Sequence, residues 1–313
     1  TAKQYPNIIT VVNETFADIK VLGDFKTNED YMPYFHSLKK NCVTGYTYAS
    51  IVGGQTANTE FELLTGNTLG FLSAGTTAFQ LYIHGQMPSL VSNLKAEGYS
   101  GNKAMHPFNP YNYNRPAVYK DFGFTDFIDK FDFPKNVKRV REYISDEANV
   151  DRIISEYEKN RKKTDQPFYM YNMTIQNHSP YDKDAANFKQ PIKIESSKYD
   201  AEANRYLNLI KYSDDSLKQL TSYFEKCKEP TIILFLGDHQ PRLTDEFMNK
   251  ITNGQYQTWS SEQMMKRYQV PFVIWANYDI KEQHIEKTSM NYIQSILTKT
   301  AGVKMTGYQR FLN

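Results

Sequence analysis

Residues 231–243 read TIILFLGDHQPRL, and the first seven carry almost no polar alternation. A short apolar run of this kind is a strand covered on both faces, which belongs in a parallel sheet layered between helices. The run stops at Gly237, and Asp238 and His239 follow side by side. Further strands are expected at 7–12 (NIITVV), 167–175 (PFYMYNMTI) and 270–276 (VPFVIWA). Helical spacing marks 30–40, 86–99, 199–227 and 290–302; in the third, Leu207, Ile210, Leu217, Leu220 and Phe224 recur at three- and four-residue steps. Strands separated by helices predict an α/β fold with a mainly parallel central sheet covered by helices on both faces. The polar segment 182–199 reads as a surface loop, and 303–313 is expected to add edge strands.

Composition narrows the class of partner. A net charge of +2 over 313 residues, with no long basic run, gives no footing for nucleic-acid binding. Hydrophobic residues at 40% suffice for a full core, and the 24 Tyr and 19 Phe fit half-buried packing better than a ligand platform. Cys42 and Cys227 are the only cysteines, so one disulfide at most can form. No run of 18 apolar residues spans a membrane, and no signal peptide opens the chain. The sequence starts almost directly with a core strand, as a domain excised from a longer protein would.

Three of the expected strands end in polar clusters: Asn13-Glu14, Asn177-His178 and Asp238-His239. Open α/β sheets bind ligands beyond the carboxyl ends of their strands. Glu14, Asp238 and His239 together offer two oxygen ligands and one nitrogen, a set that suits Mn²⁺ or Zn²⁺ better than Ca²⁺. An isolated Asp-His pair is more often a helix cap beside a core histidine; Glu14 at a second strand end puts the metal reading ahead. Neighbouring side chains on a strand face opposite ways, so convergence is expected to need Gly237 to release the backbone from strand geometry. In GGQTANTEFELLTG (53–66), Thr56 stands at a helix start after two glycines, where free amides favour an anion. A threonine hydroxyl becomes a nucleophile only when a metal or base takes its proton. On that stretch alone, a capping box from Thr56 or Asn58 to Glu60 or Glu62 is the simpler account. HPFNPYNYNRP (106–116) reads as a loop in which Arg115 suits bidentate phosphate contact and His106 or Tyr113 suits ligand hydroxyls. A surface loop with a stacking arginine explains it equally well. His178, in QNHSPY, is placed to polarise or protonate a leaving oxygen, although a lone histidine is more often structural.

Taken in order, VVNETFAD, GGQTANTEFELLTG, MHPFNPYNYNRPAVYKDFGF, NHSPY and FLGDHQPRL resemble the extracellular catalytic domain of the lipoteichoic acid synthase family. These are phosphoglycerol transferases with a sulfatase-like, alkaline-phosphatase-type fold. The resemblance implies a single domain over 1–313, with a main part to about 280 and a smaller C-terminal sheet subdomain from about 281. It implies Glu14, Thr56, Asp238 and His239 around Mn²⁺, with Mg²⁺ or Zn²⁺ as alternatives. Thr56 is then the nucleophile, and His106, Tyr113, Arg115 and His178 contact substrate. The implied donor is phosphatidylglycerol. The implied acceptor is a glycolipid, a teichoic acid chain or a cell-wall glycan, at the outer membrane face of a Gram-positive bacterium, with anchoring helices outside this sequence. Tyr113 stands where the family often has Trp, and Pro241-Arg242-Leu243 where a small polar residue is common. These departures point to one phosphoglycerol placed on a sugar rather than chain growth. Related sulfatases need a Cys or Ser in a Cys/Ser-x-Pro-x-Arg segment, and neither CVTGY nor CKEP fits. The rival readings are a phosphoethanolamine transferase or phosphodiesterase using the same centre, and a binding domain that has lost turnover.

Overall fold

A computed structural model describes residues 5–195 and 200–313. Positions 196–199, where the polar segment ends and the long helix was expected to start, lie outside the described residues. The strands are β1 (Asn7–Asn13), β2 (Cys42–Tyr48), β3 (Ser100–Met105), β4 (Asp126–Ile128), β5 (Arg139–Val140), β6 (Tyr143–Ile144), β7 (Phe168–Met173), β8 (Thr231–Gly237), β9 (Gln269–Ala276) and β10 (Gln283–Ser289). Among the described residues, eight of them form one sheet in the order β10-β2-β9-β8-β1-β7-β3-β4. β9 runs antiparallel to both β2 and β8; the other pairings in this sheet are parallel.

The period-two alternation of each strand feeds two separate cores. Ile9, Val11, Phe168, Met170, Ile233 and Phe235 point to one; Ile8, Val12, Tyr169, Tyr171, Ile232 and Leu234 point to the other. α1 (Thr56–Thr65), α2 (Leu90–Ala96) and α3 (Arg115–Phe122) cover the second face. α4 (Asp146–Arg161), α5 (Ala201–Phe224) and α6 (Asp245–Ile251) cover the first. Both faces of β1, β7 and β8 are therefore dry, which is why their sequences are continuous apolar runs. Each large side chain fully buried this way contributes about 1.5–3 kcal/mol.

The C-terminal segment departs from expectation. Instead of a separate small sheet, it sends β10 to the edge of the main sheet and then forms α7 (Ile293–Thr300) and α8 (Gly307–Phe311). Thr306 and Gln309 make a reciprocal capping box, which starts a helix where edge strands were expected. The small antiparallel sheet that does exist pairs β5 with β6. Gly237 also plays a different part: it stays in the strand, in register with Asn13. The Phe16 carbonyl crosses directly over it, and an added Cβ would lie 1.8 Å from that oxygen. Both cysteines are free.

Just beyond the end of β1, His36 bridges two acids, with Nε2 2.9 Å from Asp18 and Nδ1 2.8 Å from Asp30. The hydrogen bond that His36 donates to Asp18 leads the effects that raise its pKa from 6.5 to about 9. A pKa raised on folding stabilises fully below about 6.5, and that contribution disappears as pH climbs through about 9. Thermal unfolding should therefore show the wild type losing more stability than His36→Gln across this window. Equal losses would mean the bridge contributes nothing.

Candidate active site

Register places the candidate ligands beyond the sheet. Asn13 pairs with Gly237, so Glu14 and Asp238 each lie one residue past a matched pair of strand ends. Glu14, Asp238 and His239 are all buried, and one ligand atom from each falls within 4.8 Å of the others. Thr56 enters this group from the first turn of α1, its Oγ1 donating to Asp238 Oδ2 at 2.8 Å and 3.4 Å from Glu14 Oε2. Gln55 (φ 62°), in left-handed conformation after Gly53 and Gly54, turns the chain abruptly into the helix. Thr56 is thus not the helix cap, and Asp238 caps nothing, since Thr244 caps α6. Thr59 differs: its hydroxyl is spent on the Asp238 carbonyl at 2.7 Å.

The chemistry of this set fits a divalent cation. His239 Nδ1 lies 2.9 Å from the Gln240 carbonyl, which can only accept, so Nδ1 carries the proton and Nε2 keeps its lone pair. That Nε2 is buried, has no hydrogen-bond partner and lies 3.1 Å from Asp238 Oδ2 and 3.6 Å from Glu14 Oε1. Burial and the neighbouring Glu14 push the Asp238 carboxyl up to about 7. Burial pulls against protonation of His239, but the charges of Asp238 and Glu14 leave its pKa raised. Two buried carboxylates beside an orphaned imidazole nitrogen lack a cation, and the donor atoms are those of a mixed nitrogen and oxygen site.

A cavity of about 320 Å³ opens over Thr56, and His106, Tyr113, Arg115 and His178 all line it. His106 Nδ1 bonds the Met173 carbonyl at 3.0 Å, leaving Nε2 as an acceptor. Burial, aided by the Arg115 charge, holds its pKa well below the usual histidine value, so it is neutral. His178 Nδ1 likewise faces the Ser179 carbonyl at 2.6 Å. Tyr113 (φ 60°) and Asn114 (φ 57°) are both left-handed, a strained entry that swings Arg115 to the start of α3. Asn13 and Asn177 do not face a ligand. They brace the strand ends with Ser213 and with Asp146, whose carboxyl burial raises to about 6.

Five contributors escaped the sequence reading. Thr15 (φ 54°) donates its N–H to Asp238 Oδ1 at 2.6 Å and its hydroxyl to Glu14 at 2.8 Å. Arg141 donates to the carbonyls of Gln176, His178 and Pro180, each at 2.8 Å, and so pins the loop that carries His178. Glu60, one turn beyond Thr56 on α1, is fully buried and takes two bonds from Arg115, Nε at 3.0 Å and Nη2 at 2.7 Å. Tyr119 and Tyr171 donate to its other oxygen. The two-pronged contact expected on phosphate is therefore made to Glu60 through Nε and Nη2, and Nη1 makes no hydrogen bond among the described residues. Burial alone would lower the Arg115 pKa, but the Glu60 charge raises it. The only sequence trace of this pair is the four-residue step from Thr56 to Glu60.

A sharp prediction follows from this geometry. A lysine has one head group and cannot satisfy Glu60 and the cavity together. Arg115→Lys should therefore lower turnover about 10²-fold, nearly as far as Arg115→Ala. Glu60→Gln should reproduce much of that loss while the protein stays folded, as followed by circular dichroism. Near-normal rates in Arg115→Lys would reduce the contact to simple charge attraction.

Comparison with known proteins adds to this geometry. A family model described as Sulfatase matches residues 6–303. A Rhizobium meliloti (strain 1021) protein, named provisionally for cyclic beta-1,2-glucan modification, is 32% identical over 320 residues. The alignment takes in all of this chain but only 48% of that relative, so the chain spans about half its length. The phosphoglycerol transferase GacH of Streptococcus pyogenes, solved with sn-glycerol-1-phosphate, superposes with a TM-score of 0.81 at 20% identity, covering 98% of this chain and 77% of that one. The lipoteichoic acid synthase LtaP of Listeria monocytogenes gives 0.77 at 23% identity, covering 98% and 74%. The mainly parallel sheet with helices on both faces is thus the fold of these enzymes.

Proposed function

The chain belongs to the sulfatase family, and from that premise we propose that it transfers phosphoglycerol from phosphatidylglycerol to a sugar hydroxyl through a covalent intermediate on Thr56. The observation that carries the reading is the Thr56 hydroxyl held within the Glu14, Asp238 and His239 group, under a cavity that Arg115 also lines. The nucleophile is a threonine in a segment unlike the Cys/Ser-x-Pro-x-Arg pattern of sulfatases, so sulfate ester hydrolysis is not its chemistry. With a membrane lipid as donor the site works at a membrane surface, on the outward face that the lipoteichoic acid synthase resemblance implies. Among the described residues no helix is long and apolar enough to cross one.

Thr56 gives its proton to Asp238 Oδ2, which accepts its hydroxyl at 2.8 Å, as Oγ1 attacks the phosphorus and the bond to the diacylglycerol oxygen breaks. Glu14, Asp238, His239 and Thr56 would hold a Mn²⁺-type cation, which lowers the hydroxyl pKa and stabilises charge on the phosphoryl oxygens. Arg115 Nη1 binds a phosphoryl oxygen, positioned by Glu60. His178, with Nδ1 fixed on a carbonyl, uses Nε2 for proton transfer: as the imidazolium it protonates the departing diacylglycerol oxygen. The neutral ring then takes the proton of the acceptor hydroxyl as that oxygen attacks phosphorus, and Thr56 leaves, taking its proton back from Asp238. His106 Nε2 accepts a hydrogen bond from a glycerol hydroxyl, and Tyr113 packs over Arg115, its ring 5.1 Å from the guanidinium carbon.

The likeness to a protein named for glucan modification favours a single transfer onto a glucan over chain growth. Incubation with phosphatidylglycerol and Mn²⁺, followed by mass spectrometry, should find one glycerophosphoryl group on Thr56. Phosphatidylethanolamine should leave no adduct. Adding cyclic beta-1,2-glucan should yield single phosphoglycerol substituents, whereas long glycerol-phosphate chains would refute single transfer.

A further inference from the structure

Next to the catalytic cavity lies a second hollow of about 530 Å³, and Phe108 lines both. Tyr143 forms part of its wall, with its ring 5.7 Å from that of His178. At its mouth Phe131 is 73% exposed, an unusual position for a large apolar ring. The ring is presented by a rigid turn: Asp129 accepts from the Phe131 N–H at 2.7 Å, and Asp132 accepts from the Asp129 N–H at 2.9 Å. Its charged lining is mainly cationic, with Lys130, Lys135 and Arg139 against a single acid, Glu142. Lys130 Nζ lies 5.9 Å from the Phe108 ring centre and 5.0 Å from that of Phe131. Neither Lys130 nor Lys135 makes an ion pair among the described residues.

We propose that this groove is the acceptor subsite and that it takes an oligosaccharide carrying anionic substituents. Exposed aromatic faces pack against the apolar faces of sugar rings, and unpaired cations bind charge already on the chain. The wall shared through Phe108 places a hydroxyl of the bound sugar at the neighbouring phosphoryl centre. Continuity with that centre and the excess of positive charge together select this occupant. The proposal rests on the transferase reading above, supplying the acceptor's location and charge.

The test separates the two half-reactions in Lys130→Glu/Lys135→Glu and in Phe131→Ala, all exposed or half-exposed positions that do not line the Thr56 cavity. Diacylglycerol release from phosphatidylglycerol vesicles without acceptor should stay within about twofold of wild type, as distant surface changes do. The KM for cyclic beta-1,2-glucan already bearing phosphoglycerol should rise about tenfold or more in the charge-reversed protein, and the KM for the unsubstituted glucan should rise less. Phe131→Ala should raise both KM values. An unchanged KM would overturn the proposal. So would a parallel fall in diacylglycerol release, which would give the groove to the donor lipid. If the wild type releases no diacylglycerol, the transferase reading fails by itself. Calorimetric titration with the substituted glucan then decides the groove: binding lost in the double variant supports it, and equal or absent binding rejects it.

Discussion

Thr56→Ala will abolish turnover of phosphatidylglycerol, by about 10³-fold or more, while Thr59→Ala will retain a substantial part of it. The two residues are three apart on α1, and both hydroxyls bond to Asp238. What separates them is the atom they touch. Thr56 meets the carboxylate and lines the cavity, whereas Thr59 is fully buried and bonds the backbone carbonyl. Losing Thr59 removes one hydrogen bond, worth about 1 kcal/mol, and loosens the Asp238 backbone. On the proposed mechanism, losing Thr56 removes the atom that forms the bond to phosphorus. Steady-state diacylglycerol release and the intact mass after donor incubation measure the two effects independently. An adduct that survives in Thr56→Ala would move the nucleophile elsewhere.

The parts of the fold legible in the sequence are those where burial is complete. β1, β7 and β8 are apolar on both faces, and the pattern of α5 faces one core throughout, so hydrophobicity alone marks them. β10 (QHIEKTS) is largely exposed at the sheet edge, and its strand character comes from backbone pairing with β2, which leaves no apolar signature. Glu14, Asp238 and His239 could be read because strand ends place them without knowledge of any loop. Glu60 could not. An acid in the first turns of a helix is ordinarily a solvated or capping residue, and its partner Arg115 lies 55 positions away. Arg141 was equally hidden, because it acts on carbonyl groups that every sequence possesses. Gly237 was correctly singled out for the wrong reason: the need is room for the Phe16 carbonyl, a contact visible only in three dimensions.

Removing either side chain of the Asp238-His239 pair should remove the metal and leave the fold. Both lie beyond the last paired residue of β8, and neither belongs to the two hydrophobic cores. Beyond its proposed place at the metal, Asp238 accepts the Thr15 and His239 N–H groups through one oxygen and the Thr56 hydroxyl through the other. Asp238→Ala should accordingly cost stability as well, by about 1–3 kcal/mol for the donors left without a partner. His239→Ala breaks the bond to the Gln240 carbonyl and removes the ring beside the Asp238 and Glu14 carboxylates, so it too should lower the stability of the metal-free protein. Binding to the folded state alone stabilises it by about 2.7 kcal/mol at one hundred times the dissociation constant. Mn²⁺ should therefore raise the melting temperature of the wild type, Ca²⁺ should do so less because of the imidazole ligand, and a chelator should reverse the rise. Neither variant should respond to Mn²⁺, and elemental analysis should find each depleted. Full metal content in both would place the cation elsewhere, whereas metal loss from a His239→Ala protein that remains folded by circular dichroism would assign the orphaned Nε2 as a ligand.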